Sequence, residues 1–181
     1  MNGGLNMSEL LELEVEEDQP NEDKDIEMGS LNHGIAQANV TTLLSHDNRF
    51  RAITELSLDA SQIDLSQFGL KIKDELIPDV CLYPKQEKQR PMRGDDIQKM
   101  LAMPLLAIEV LSLRQSIGDI LAKFKAYFAL GIKSCWLIIP ANESITIYSK
   151  PNEFVAFSSK DTELVDEVID IHLPIQKIFE W

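Results

Sequence analysis

The 181-residue sequence predicts an α/β fold: a mixed central β-sheet flanked by helices. Three observations lead there. "PLLAIEVLS" (104–112), "SIGDILAKFKAYFAL" (116–130) and "SCWLIIP" (134–140) read as strand, helix, strand. Such a βαβ unit sets two strands parallel with a right-handed crossover. The apolar runs before residue 104 are joined by stretches too short for a helix, so those strands pair antiparallel. Finally, 44% hydrophobic and 26% charged residues describe an ordinary soluble domain with a sizeable core.

The elements follow in order. Residues 1–28 carry ten acids and one Lys and read as an acidic, mobile tail. Within it, "SELLELEVEE" suits a short helix or a short strand equally. The domain proper spans 29–181. Ser30 or Asn32 can cap a helix over 31–46, with Ile35, Ala38, Val40, Leu43 and Leu44 as its apolar positions. "RAITELSLDA" (51–60) alternates Ile53, Leu56 and Leu58 with polar residues, as a half-buried strand does. "GLKIK" (69–73) repeats that pattern with Leu70 and Ile72, and "PDVCLYP" (78–84) is a strand between prolines. Residues 85–99 form a charged loop. The helix over 116–130 ends at Gly131 as a left-handed cap. "SITIYSK" and "EFVAFSS" form a hairpin, and "LPIQKIFEW" closes the chain as a short amphipathic segment.

Charge and composition exclude several classes. No apolar run is long enough to span a bilayer. The acidic N-terminus lacks the basic, apolar and small-residue pattern of a secretory signal. Cys81 and Cys135 have no metal-ligand spacing and read as buried free thiols of a cytoplasmic protein. The net charge is −13, yet residues 71–133 hold eleven Lys/Arg against eight Asp/Glu. That segment alone has a basic surplus, and a small one for a polyanion partner.

Glu109 is the anomaly. It stands inside the apolar run "AIEVLS", where an unpaired carboxylate costs several kcal/mol. Asp79 opens the strand "PDVCLYP". If the two strands are neighbours, two carboxylates meet at one end of the sheet. Two anions about 4 Å apart repel by about 4 kcal/mol at an effective dielectric near 20. A shared proton or a cation relieves that, and Mg²⁺ or Mn²⁺ suits one or two carboxylates. On the following helix, Asp119, Lys123 and Tyr127 recur every fourth residue and form a stripe beside the apolar face of Ile117, Ile120, Leu121, Phe124 and Phe128. Lys125 flanks the opposite margin, and helical geometry alone does not choose between Lys123 and Lys125.

Taken together, Pro78-Asp79, Glu109-Val110-Leu111-Ser112, Asp119, Lys123, Tyr127, Gly131 and Trp136 resemble the pattern of a large bacterial family of restriction-endonuclease-like domains. That family lies within the PD-(D/E)XK nuclease superfamily, and the likeness covers about residues 30–150. The parent pattern has Glu-x-Lys on one strand, whereas position 111 here is Leu. The resemblance therefore implies that the lysine has moved to the helix, as Lys123. It implies metal-assisted hydrolysis of DNA, with Asp79 and Glu109 holding Mg²⁺ or Mn²⁺ and Lys123 orienting the nucleophile or stabilising phosphate charge. Tyr127 would position Lys123 or water, and Asp119 would pair with Lys123. His33, in "NHG", would approach the site. A homodimer is expected by analogy with nucleases that cut both strands. The rival expectation is a nuclease fold serving as a binding or regulatory module.

Overall fold

The computed structural model describes residues 30–85 and 96–181. The acidic segment 1–28 and most of the loop 85–99 lie outside the described residues. The described chain runs α1 (Leu31–Ser45), β1 (Phe50–Thr54), β2 (Leu58–Asp59), β3 (Glu75–Leu76), β4 (Val80–Pro84), β5 (Leu106–Val110), α2 (Ile117–Ala129), β6 (Ser134–Ile139), β7 (Ser144–Lys150), β8 (Glu153–Ser158), β9 (Leu164–Asp166), β10 (Ile171–Leu173) and α3 (Gln176–Phe179). Six strands form the main sheet in the order β1-β4-β5-β6-β7-β8. The pair β5–β6, bridged by α2, is parallel, and its neighbours on either side are antiparallel. This is the mixed sheet that the βαβ pattern and the short early connections predict.

Each central strand is buried on both faces because each face has its own cover. Leu106, Ile108, Val110, Trp136 and Ile138 join α1, α3 and the β9–β10 hairpin in one core. Ala107, Cys135 and Leu137 turn the other way, toward Ile120, Phe124, Ala126 and Tyr127 of α2. Leu58, Leu65 and Leu76 complete that second core. The period of two along β5 therefore sends Glu109 to the α2 side.

Both principal helices have well-formed ends. Ser30 caps α1, its hydroxyl accepting from the His33 amide. Ser116 and Asp119 form a reciprocal capping box on α2. At the far end of α2, Gly131 takes φ +94°. The Gly131 amide returns to the Phe128 carbonyl and the Ile132 amide to the Tyr127 carbonyl. That double return is a Schellman motif, and it needs a residue free to adopt the left-handed region.

Several expectations change. The strand predicted over 51–60 breaks into β1 and β2, because Glu55 adopts a left-handed φ of +51°. "GLKIK" is not a strand: it follows a 3₁₀ turn, Leu65–Phe68, and leaves Ile72 exposed. The pairing there belongs instead to β3, against β2 in a separate two-stranded sheet. On α1 the core positions are Ala36, Val40 and Leu44, while Ala38 faces solvent. On α2, Ile117 is exposed and Tyr127 fully buried, so the Asp119–Lys123–Tyr127 stripe dives into the core rather than following its margin.

The β9–β10 hairpin, unforeseen in the sequence, is tied to the sheet by one buried carboxylate. Asp166 Oδ2 accepts from Ser134 Oγ at 2.5 Å and from Trp136 Nε1 at 2.7 Å, and Oδ1 accepts from the Val168 amide at 3.0 Å. Replacing Asp166 by Ala strands an indole N–H and a hydroxyl in the core. The expected cost is about 3 kcal/mol, with Asp166→Asn costing less, since a carbonyl oxygen remains. Urea denaturation of both variants checks this. Equal stability of Asp166→Ala and the parent chain would dismiss it.

Candidate functional site

The register of β4 against β5 pairs Val80 with Ile108 and Cys81 with Ala107. Continued by one residue, it sets Asp79 opposite Glu109, both on the α2 side. Like charges directly opposed on a sheet repel, so each carboxylate needs its own support. Asp79 Oδ2 accepts from the Val110 amide at 2.6 Å, which fixes the carboxylate against β5. Its Oδ1 lies 3.4 Å from His33 Nε2. Gln37, one turn along α1, donates to the Asp79 carbonyl at 3.0 Å and to Glu55 Oε1 at 3.4 Å. The N-terminal turns of α1 are thus fastened to the start of β4.

Glu109 is 1% exposed, and α2 answers its charge. Lys123 Nζ donates to Oε2 at 2.9 Å and the Tyr127 hydroxyl donates to Oε1 at 2.6 Å. Burial pushes the Glu109 carboxyl up to about 7; the Lys123 charge opposes the rise, Asp79 adds to it, and the two donors pull it back. Burial, reinforced by Glu109, holds the Tyr127 phenol well above its ordinary range, so it remains a donor. The Lys123 side chain is 18% exposed and sits where solvent meets core, whereas Lys125 is exposed.

Glu109, Lys123 and Tyr127 therefore form one hydrogen-bonded group; Asp79, with His33 beside it, adjoins that group through the Val110 amide and by charge. Tyr127 orients Glu109 rather than Lys123. Asp119 is engaged elsewhere: its Oδ2 accepts from the Ser116 amide and hydroxyl at 3.2 and 2.7 Å. Those bonds lower its carboxyl, with only a minor contribution from Lys123. Its main work is to start the helix that carries Lys123 and Tyr127.

A cleft of about 490 Å³ opens beside Asp79. Its lining includes Ser30, His33, Gln37, Glu55, Ser112 and Gln115. No Lys or Arg lines it among the described residues. Gln37, Glu55, Ser112 and Gln115 are among the participants that sequence reasoning passes over. Ser112 stands in the "EVLS" motif with no chemistry attached, Glu55 looks like any polar strand residue, and Gln115 like a loop residue.

The donor set suits a hard divalent ion. Asp79 lines the cleft, whereas the buried Glu109 does not; each Glu109 oxygen retains lone-pair capacity beyond the one bond it accepts. A cation between them would also relieve their mutual repulsion, which adds to the effect of burial in raising Glu109. Among the described residues no group of three or more His, Cys, Asp or Glu side chains could hold a metal. The fit is thus to an ion that takes one or two carboxylates and keeps much of its water, as Mg²⁺ does, and not to a closed cage.

A family model described as "Uma2: Putative restriction endonuclease" matches residues 13–176. Among solved structures, the chain is similar to a "putative nuclease belonging to DUF820" from Anabaena variabilis ATCC 29413. The two share 21% identity over 84% of this chain and 82% of that one, with a TM-score of 0.63, a likeness of fold. No curated protein matches the chain.

Proposed function

Since the chain belongs to the Uma2 family, we propose that it is a Mg²⁺- or Mn²⁺-dependent deoxyribonuclease hydrolysing phosphodiester bonds. One observation carries this: two carboxylates from neighbouring strands, Asp79 and Glu109, face the same side of the sheet, with a lysine amine 2.9 Å from the second. Asp79 and Glu109 would hold the ion, which when bound supplies Lewis acidity and a water acidified for attack. The protein's own part is positional. The Val110 amide fixes Asp79, the Tyr127 phenol fixes Glu109, and Lys123 presents an ammonium to charge developing on the phosphate.

The test is cleavage of supercoiled plasmid and of single-stranded DNA with Mg²⁺ or Mn²⁺, against EDTA. Conversion to nicked, linear or shortened products with metal, and none in EDTA, is the expected result. Persistence of cleavage in EDTA, or its absence with either metal, defeats the proposal. For cutting both strands a homodimer is the natural arrangement, and light scattering at the assay concentration reads it.

A second reading has its own support. Both Glu109 oxygens already accept hydrogen bonds, and no Lys or Arg lines the cleft among the described residues. A binding or regulatory module on this fold would show DNA or protein affinity that persists in EDTA, without strand scission.

A further inference from the structure

The cleft's lining combines two kinds of residue. Asp79 and Glu55 are acidic. Ser112 and Gln115, from the turn between β5 and α2, are neutral hydrogen-bonding groups. Ser112 is nine-tenths buried. Its Oγ is the buried side-chain polar atom that finds no hydrogen-bond partner among the described residues. Orphaned hydroxyls of this kind are uncommon and costly, because desolvation is not repaid. Beside it, Gln115 Oε1 accepts from the Ser112 amide at 3.3 Å. That bond assigns the oxygen end of the amide and leaves the Nε2 hydrogens as donors.

We propose that Ser112 and Gln115 are substrate-positioning residues that donate hydrogen bonds to a non-bridging oxygen of the bound phosphodiester. This rests on the nuclease reading. The argument from charge is direct. A phosphodiester entering an acid-lined cleft needs a cation against the carboxylates and donors for its remaining oxygens. Neutral donors serve better than a second fixed cation, which would compete with the metal for Asp79. A hydroxyl and an amide meet that need, and hydrogen bonds to an anion are the stronger kind. An unsatisfied Ser112 in the free protein is then the cost of preorganisation, recovered when substrate binds.

The test uses the full chain and three variants: Ser112→Ala, Gln115→Ala and Gln115→Glu. Ser112→Ala removes an orphan, so Tm should hold or rise while kcat/KM for DNA cleavage in Mg²⁺ falls roughly 10- to 100-fold. Gln115→Glu keeps the oxygen that accepts from Ser112 but sets a negative charge where a phosphate oxygen would lie. Its KM should rise further than that of Gln115→Ala. Mn²⁺ affinity, measured by calorimetry without DNA, should be unchanged in Ser112→Ala. Binding of a fluorescent DNA duplex in Ca²⁺ gives a readout independent of turnover and should weaken in parallel with the rise in KM.

If the parent chain cleaves DNA and Ser112→Ala does so equally well, this proposal falls and the nuclease reading stands. A clear loss of Tm in Ser112→Ala also overturns it, marking the hydroxyl as structural. Tighter DNA binding by Gln115→Glu than by Gln115→Ala would contradict a phosphate oxygen at this position and sink it too. If the parent chain neither binds nor cuts DNA, the nuclease reading itself has failed.

Discussion

Glu109→Gln is expected to reduce metal-dependent DNA cleavage by about 10³-fold or more, equivalent to about 4 kcal/mol of barrier, in a chain that still folds. The amide matches the carboxylate in shape. Its oxygen can accept from Tyr127 as Oε1 does now, at 2.6 Å. Its nitrogen faces Lys123, whose side chain is partly exposed and can swing to water. What disappears is the negative charge that would hold the cation opposite Asp79. Circular dichroism and thermal melting should match the parent, while plasmid nicking at saturating Mg²⁺ collapses. Undiminished nicking in a correctly folded variant would remove Glu109 from the site and leave the proposed chemistry without its second ligand.

Lys123→Met should lower stability by an amount that depends on pH. Methionine replaces the aliphatic stem but leaves Glu109 buried without its counter-charge. In the parent chain Glu109 titrates near 7 when folded, against an ordinary carboxylate value of 4.5. Below about 4.5 both folded and unfolded chains hold the proton, and this group's contribution is complete. Between 4.5 and 7 the unfolded chain releases its proton while the folded chain keeps it, so stability from this group declines as pH rises. Without Lys123 the folded carboxyl titrates higher still, and the decline continues past 7. The variant should therefore lie on the order of 2 kcal/mol below the parent at pH 8.5 and approach it at pH 5. Urea melts at both values decide this, since a deficit independent of pH would mean that Lys123 serves packing alone. Cleavage by the variant should also fall by about 10²-fold, as expected for loss of one stabilising charge.

The legible part of the site was the part that broke a local rule. Glu109 stood out because a charge in an apolar strand demands a partner. Asp79 and Lys123 could be sought as that partner from strand order and helical spacing. Gly131 announced the end of α2 because few other residues tolerate its backbone. The rest broke no rule in one dimension. Glu55 ends β1 with a left-handed backbone that nothing in "RAITELSLDA" signals, so the alternation of Leu56 and Leu58 looked like one continuous strand. Asp166, in an acidic C-terminal stretch, reads as a surface charge until Ser134 and Trp136 are seen to close on it from about thirty residues away. Ser112 and Gln115 acquire meaning only from the cleft that folding builds around them. Tyr127 fell on the polar stripe of a helical wheel, yet one buried carboxylate was enough to draw its hydroxyl inward.

The two thiols offer a use of their own. Cys81 and Cys135 are both buried and unoxidised, and each pairs with Ala107, one from either side of β5. Burial raises both thiols, Cys81 to about 12 and Cys135 well above its usual range, which makes them inert toward alkylating reagents while the sheet is closed. Labelling can proceed only when the strands flanking Ala107, two residues from Glu109, come apart. Mass spectrometry after timed exposure to iodoacetamide would then record how often the heart of the molecule opens, without any engineered reporter.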